Sequence, residues 1–362
     1  MIVNEVVKGF TTIIAIDTAK TVFQVLVANE KTNKITNKKV TRSHLINYLI
    51  RQGKAVIFME ACTASHYWGR KLQALGFIVK LIDPKAVKQS LKNKDVKNDI
   101  KDARAIYATG MKDDTHFVPI KTLEQQNALL IHSLRSSAIK RRVALSNRLR
   151  GLLAEFGSVV AKGRRAFENE FLFELEKVKE DIAPALYQDI QDLYHEYLAL
   201  KTKEKEYEQQ IIELNIHNEG AKLLKTCPGV GELTANAIVT AVGDGSQFKK
   251  GREMAAWMGL TPRQHSSGGK NKLGKVTKKG DTYLRTLLTQ CAQTILVWAE
   301  HKEQQHTASS LHNFALRLLR RGKYRNTVVI ALANKMARVL WAMLKNKRAF
   351  TDTVTTATVA AV

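Results

Sequence analysis

The sequence predicts three blocks: an α/β domain over 1–120, a helical, coiled-coil region over 121–215 and a mainly α-helical domain over 216–362. Short β-rich apolar runs alternate with helical stretches in the first block, as a sheet with crossover helices requires. Charge then divides the chain. Residues 1–110 carry a net +11, residues 121–215 are neutral, and residues 216–362 carry +15. Finally, the middle block repeats its apolar residues at alternating spacings of four and three.

In the first block, Ile13–Ile16 and Phe23–Val27 are β-rich runs separated by DTAKT, which predicts a hairpin. A helix near Ser43–Gln52 precedes the strand Ala55–Met59, and a helix over Ser65–Leu75 leads to the strand Ile78–Ile82. Pro84 opens a Lys-rich helical segment. Asp17 and Glu60 end the first and a later strand, while Asp99 and Asp102 lie three residues apart and share one helix face. Acids so placed follow the pattern of ribonuclease-H-like nucleases. Carboxylates crowded together repel unless cations neutralise them, and hard oxygen donors suit Mg²⁺. A paired-Mg²⁺ site for phosphodiester chemistry is the expectation. Asp83, before Pro84, fits a turn role, and Asp95 lies off the shared Asp99/Asp102 face.

In the middle block, Leu186, Ile190, Leu193, Tyr197, Leu200, Tyr207, Ile211 and Leu214 form a heptad seam, with Glu204 the one polar residue in register. A self-associating coiled coil is expected. A long helix packing on its own domain would give the same pattern.

The third block holds two informative segments. Leu223–Asp244 has an apolar helix end, the turn Pro-Gly-Val-Gly at 228–231 and a second apolar helix, resembling a helix-hairpin-helix. Gly229 and Gly231 would let backbone amides approach a phosphate at a helix N-terminus. An ordinary helical hairpin with a Gly-rich turn would look alike. Gly259–Leu288 carries seven basic residues against one acid, Asp281, between Arg263 and Arg285. It is expected to be a flexible phosphate-binding loop returning into a helix at Thr282. Arg263, Lys270, Lys278, Lys279 and Arg285 are candidate phosphate contacts, as are Lys85, Lys88, Lys92, Lys94 and Lys97 before the acidic helix.

Composition bounds the rest. The formal charge of +25 and pI near 9.9 favour polyanionic partners. Cys62, Cys227 and Cys291 have no CxxC spacing, so neither a disulfide framework nor structural zinc is expected. No membrane partner and a cytoplasmic location are expected from the lack of a spanning-length apolar run or signal pattern. His66, Tyr67 and Trp68 are expected to pack.

The N-terminal AIDTAK, FMEACTASHYWGRKL at 58–72, KNDIKDARAI at 97–106, PRQHSSGGK at 262–270 and VVIALANKMARVLWAML at 328–344 together resemble the DEDD transposases of bacterial insertion sequences. These are relatives of the Piv site-specific DNA invertases. The resemblance implies an RNase-H/RuvC-like N-terminal domain, with Asp17, Glu60, Asp99 and Asp102 as a Mg²⁺-binding tetrad. It also implies Ser267, rather than the adjacent Ser266, as a nucleophile forming a phosphoserine link to DNA, and a bridge RNA that guides donor and target DNA. A homotetramer sharing composite sites is the implied assembly. His265 is a candidate base for the serine. A Mg²⁺-dependent nuclease, such as a junction resolvase, and a non-catalytic nucleic-acid-binding protein remain alternatives.

Overall fold

The computed structural model describes residues 5–90, 99–267 and 270–352, with the side chains of 265–272 left aside. Lys92, Lys94, Asp95 and Lys97 of the basic run, and Gly268 and Gly269, lie outside the described residues. The chain divides into two compact units, Met1–Glu124 and Gln125–Val362.

The first unit contains β1 (Thr12–Asp17), β2 (Val22–Asn29), β3 (Lys34–Thr41), α1 (Leu45–Ile50), β4 (Val56–Glu60), α2 (Ser65–Ala74), β5 (Ile78–Ile82), α3 (Pro84–Ser90), α4 (Asp99–Gly110) and β6 (Phe117–Val118). Its strands form one sheet in the order β3-β2-β1-β4-β5-β6. The central pairs β1–β4 and β4–β5 are parallel; the outer pairs are antiparallel.

Strand alternation sorts the apolar residues onto two faces. Ile14 and Ile16 of β1 join Ile57 and Met59 of β4 in a core closed by Leu49 of α1 and Leu72 of α2. Ile13, Ala15, Val56 and Phe58 face the other way, toward Val87 of α3 and Ala103 and Ile106 of α4. Helices on both faces explain why the central strands read as unbroken apolar runs. The β1–β2 hairpin follows the expectation from DTAKT. By contrast, β3 is an addition: KITNKKVT is largely solvent-facing, with Val40 its buried residue, so its apolar signal was weak.

The second unit begins with three helices, α5 (Leu123–Ala154), α6 (Arg164–Lys177) and α7 (Pro184–Ile216). Here the coiled-coil expectation meets a correction. The heptad residues Ile190, Tyr197, Leu200 and Ile211 are buried by their own chain, with Leu186 and Leu214 left exposed toward the helix ends. Ile190 and Tyr197 join Leu149 and Leu153 of α5 and Phe167 and Phe171 of α6 in one core. Phe167 lies edge-on to Tyr197 at 4.8 Å and Phe171 stacks on Tyr194 at 4.8 Å. Tyr194 is off the heptad register, because three packed helices demand a wider stripe than a two-stranded seam.

The remainder comprises α8 (Glu219–Lys225), α9 (Glu232–Val242), α10 (Gly251–Trp257), the hairpin β7 (Pro262–Ser267) and β8 (Lys270–Val276), then α11 (Thr282–Gln304), α12 (Ser310–Arg320) and α13 (Arg325–Asn346). These helices enclose a separate core containing Ile238, Met254, Leu288, Leu311 and Leu332. Among the described residues α13 alone is long and apolar enough to cross a membrane, and half of its apolar window is buried in the protein.

Candidate active site

The N-terminal acids meet because of the periodicities that build the core. Asp17 continues the Ile13, Ala15 face of β1, and Glu60 continues the Val56, Phe58 face of β4. Ile16 pairs with Met59, so Asp17 and Glu60 occupy the next step on adjacent parallel strands. On α4, Asp99, Asp102, Ala103, Ile106 and Gly110 follow helical i, i+3, i+4, i+7 spacing. The stripe is apolar over the sheet and becomes acidic in the first turn, where a helix dipole favours negative charge.

Tight packing fixes this helix. A Cβ at Gly110 would fall 2.4 Å from Cδ2 of the Phe58 ring, so α4 approaches β4 more closely than any side chain permits. At the other end, the Asn37 amide donates to the Ile100 carbonyl at 3.3 Å, and the Gln24 amide donates to Asn37 Oδ1 at 2.5 Å. The first turn of α4 is thereby tied to β3 and β2.

Ligand oxygens of Asp17, Asp99 and Asp102 all lie within 4.8 Å of one another. Glu60 falls outside that tight grouping but within its field. Burial pushes its carboxyl above the ordinary range, and the neighbouring Asp102 and Asp83 carboxylates add to the rise. An all-oxygen acidic donor set fits a hard divalent cation and offers a soft ion little.

Two neighbours, Thr18 and Cys62, were missed from sequence, and Asp83 was read there only as a turn residue. Cys62 Sγ lies 2.9 Å from Thr18 Oγ1, and burial raises the thiol pKa, with Glu60 and Asp17 adding to it. Asp83 takes the expected turn role, its Oδ1 accepting from the Lys85 N–H at 2.7 Å, yet also borders Glu60. Each follows a strand end by one or two residues, and that position was the available signal. Trp68 packs as expected, edge-on to Phe23 at 5.2 Å. His66 Nδ1 accepts the Lys121 N–H at 3.2 Å.

In the second unit, the expected flexible loop is an antiparallel hairpin, a correction. Ser267 pairs with Lys270, Ser266 with Asn271 and His265 with Lys272, with a register shift between Pro262 and Gln264. A two-residue Gly-Gly connection between alternating segments is a hairpin signal that outweighs basic composition. The hairpin base is anchored: Thr277 N–H donates to the Thr261 carbonyl at 2.9 Å, and Lys278 N–H to the Gly259 carbonyl at 3.2 Å. Gly280 is required here, since a Cβ would meet the Trp257 carbonyl oxygen at 2.0 Å. Asp281 caps α11 by accepting from Leu284 N–H at 3.0 Å.

The candidate phosphate contacts divide. Arg263, Lys278 and Lys279 are exposed. Arg285 is half-buried and donates to the Met258 carbonyl at 3.1 Å and to Thr282 Oγ1 at 3.2 Å, which makes it a strut of the hairpin base. Gly229 (φ 77°) approaches the Cys291 carbonyl and Ile295 of α11 so closely that packing accounts for it. Gly231 precedes α9, whose first residue, Glu232, already places a carboxylate at the helix N-terminus and accepts from the Asn215 amide at 2.6 Å. The turn joins α8 and α9, both of which pack into the core of this unit.

A family model described as Transposase matches residues 14–157, spanning the four acids. A second, described as Transposase IS116/IS110/IS902 family, matches residues 221–308, spanning the hairpin. The transposase for insertion sequence element IS1111A of Coxiella burnetii is 34% identical over 93% of this chain and 91% of its own length. The transposase for insertion sequence element IS1328 of Yersinia enterocolitica is 33% identical over 91% of this chain and 96% of its own. A pilin gene-inverting protein of Moraxella bovis is 31% identical over 37% of this chain and 39% of its own. The chain belongs to the IS116/IS110/IS902 family of transposases, enzymes that cleave and rejoin DNA.

Proposed function

We propose that this chain is an insertion-sequence transposase in which Asp17, Glu60, Asp99 and Asp102, on an RNase-H/RuvC-like domain, hold divalent cations while Ser267 supplies the nucleophile. The observation that carries the reading is the convergence of Asp17, Asp99 and Asp102 within 4.8 Å, from a strand end and a helix more than eighty residues apart. Four oxygen-donor side chains match Mg²⁺, which when bound would polarise the scissile phosphate and stabilise the leaving oxygen.

The residues then divide the work. Asp17 and Glu60 sit on rigid strand ends, and Asp99 and Asp102 on a helix clamped to them by the Gly110–Phe58 contact. Ser267 ends β7, in a hairpin whose base is held by Arg285 and the Gly280 turn. In the reaction the serine oxygen forms a bond to phosphorus and the bond from phosphorus to the leaving deoxyribose oxygen breaks. The serine proton passes to a base and the leaving oxygen takes one up. The phosphoserine keeps the phosphodiester energy, so a hydroxyl on the exchanged strand reseals the backbone and frees the serine without ATP. The pilin gene-inverting relative is by name a protein that inverts a gene, which also demands rejoined ends.

Guidance by a bridge RNA and assembly as a tetramer belong to the same proposal. They rest on the family resemblance, and the +25 charge is compatible with RNA as with DNA.

Trapping tests the proposal. With DNA carrying the element ends, wild-type protein should yield a covalent protein–DNA adduct that Ser267→Ala abolishes and Ser266→Ala retains. Strand exchange at the wild-type rate by Ser267→Ala would overturn the serine assignment. Cleavage by that variant without rejoining would instead identify a hydrolytic nuclease. Sequencing RNA that co-purifies with the protein tests guidance, and lack of a specific RNA would remove that part alone.

A further inference from the structure

Beside the serine hairpin lies a groove of about 1030 Å³, walled by β8, α11 and α13. Its volume is at the upper end of single small-molecule sites, which run to roughly 1,000 Å³. The apolar lining, its floor, includes Ile330, Val339 and Met343 of α13 with Phe314 and Phe350. The cationic lining, its banks, comprises Lys275 of the hairpin together with Lys335, Arg338 and Arg348. No carboxylate lines the groove among its described residues.

This combination calls for a particular occupant. Lys335 sits 4.8 Å over the Phe314 ring, half-buried beside Arg317 and Arg338, and burial with those two cations lowers its pKa. Cations gathered without acids are held at an electrostatic cost that a polyanion would relieve. A duplex could satisfy the banks, but it keeps its base faces stacked inside and offers the floor nothing apolar. An unpaired strand supplies both parts, since every base has an apolar face that stacks on or beside aromatic side chains while its backbone follows positive charge.

We propose that the groove seats an unpaired DNA strand, with bases against the Phe314–Ile330–Phe350 floor and phosphates along the Lys275 and Lys335–Arg338 banks. Strand exchange must part a duplex, and a groove at the base of the serine hairpin would receive the released strand. The inference rests on the transposase reading for its source of unpaired DNA and on nothing else in that mechanism.

The test uses the full-length chain in chelator, so no strand is cut and the result is independent of the tetrad and Ser267. Binding of an oligothymidine of about a dozen nucleotides, a duplex of equal length and the matching RNA is followed by fluorescence anisotropy across a salt series. Lys335→Ala/Arg338→Ala should weaken the unpaired DNA by about tenfold or more and reduce the salt slope by about 1.4, at roughly 0.7 per lost single-strand contact. Duplex binding should change less than about twofold. Lys275→Glu, on the β8 wall, should give the same selectivity, and unchanged thermal midpoints should show both variants folded. Photocrosslinks from halogenated bases should map to Phe314, Phe350 or α13. Unchanged unpaired-DNA binding, an equal loss for duplex, or a loss for RNA alone would overturn the proposal. So would weakened self-association with DNA binding intact, since a second copy would then be the occupant.

Discussion

Arg142 Nε donates to Glu204 Oε2 at 2.9 Å, joining α5 to α7 with both side chains almost wholly buried. Glu204 is the polar member of the heptad register, and Arg164 also approaches it, at 3.7 Å. A carboxylate sealed against its own chain's guanidinium marks where the long helix is packed internally.

Removing one partner of this pair should be far worse than removing both. Glu204→Ala strands a buried guanidinium and should cost about 3–5 kcal/mol, whereas Arg142→Met/Glu204→Leu should lie near neutral. Denaturant unfolding of the two variants decides it, and equal losses would mean that water reaches the pair.

Gly110→Ala should be destabilising by about 1–3 kcal/mol through overpacking. The Phe58 ring cannot yield easily, because it is fully buried and stacked on Phe117 at 5.9 Å. Since α4 carries Asp99 and Asp102, strand cleavage should fall further than stability alone explains. Cleavage rate measured well below the melting transition separates the two effects.

Mg²⁺ should raise the thermal midpoint of the wild-type protein. Asp102→Asn should abolish most of that rise while leaving the metal-free midpoint the same or higher, because it removes a charge that repels Glu60. A calorimetric titration with Mg²⁺ should show affinity lower by about tenfold or more. An undiminished response would place the cation elsewhere.

Stability should fall as pH drops below about 6.5. His66 is held down to about 4 by burial, with Lys121 and Arg70 adding to it, and burial lowers His132 and His312 likewise. A histidine whose folded pKa is depressed takes up its proton first in the unfolded chain. The native state therefore loses stability as pH falls from the unfolded pKa toward the folded one, and nothing is lost above it. His132 lies in a one-way hydrogen-bond chain. Tyr283 Oη pairs with its Nδ1 at 2.9 Å, Nε2 with Asn236 Oδ1 at 3.0 Å, and the Asn236 amide donates to Asn215 Oδ1 at 2.7 Å. Asn215 in turn donates to Glu232, an acceptor only, which sets the direction of every bond back to Tyr283. His132→Gln should flatten the pH 6.5-to-5 slope relative to wild type in thermal unfolding, leaving the His66 and His312 contributions.

Much of the first unit was legible because apolar runs that end in an acid mark both the core strands and the site. Asp17 and Glu60 follow from that rule, and the shared face of Asp99 and Asp102 from three-residue helical spacing. The hairpin of Ser267 was legible in its Gly-Gly spacing but obscured by the charge around it. Gly229 was readable only as a turn, since its neighbour Ile295 lies more than sixty residues away.

The sequence by itself determined the central strands and the helices of the first unit, the positions of the four acids and the basic charge, because these depend on local periodicity and composition. Only the tertiary structure decided which surfaces meet: the heptad seam closed on α5 and α6, Glu204 given to Arg142, and Arg285 bound to a backbone carbonyl. Local pattern states what a segment must bury or pair. It does not say with which distant partner, because that is settled by close packing across the whole core.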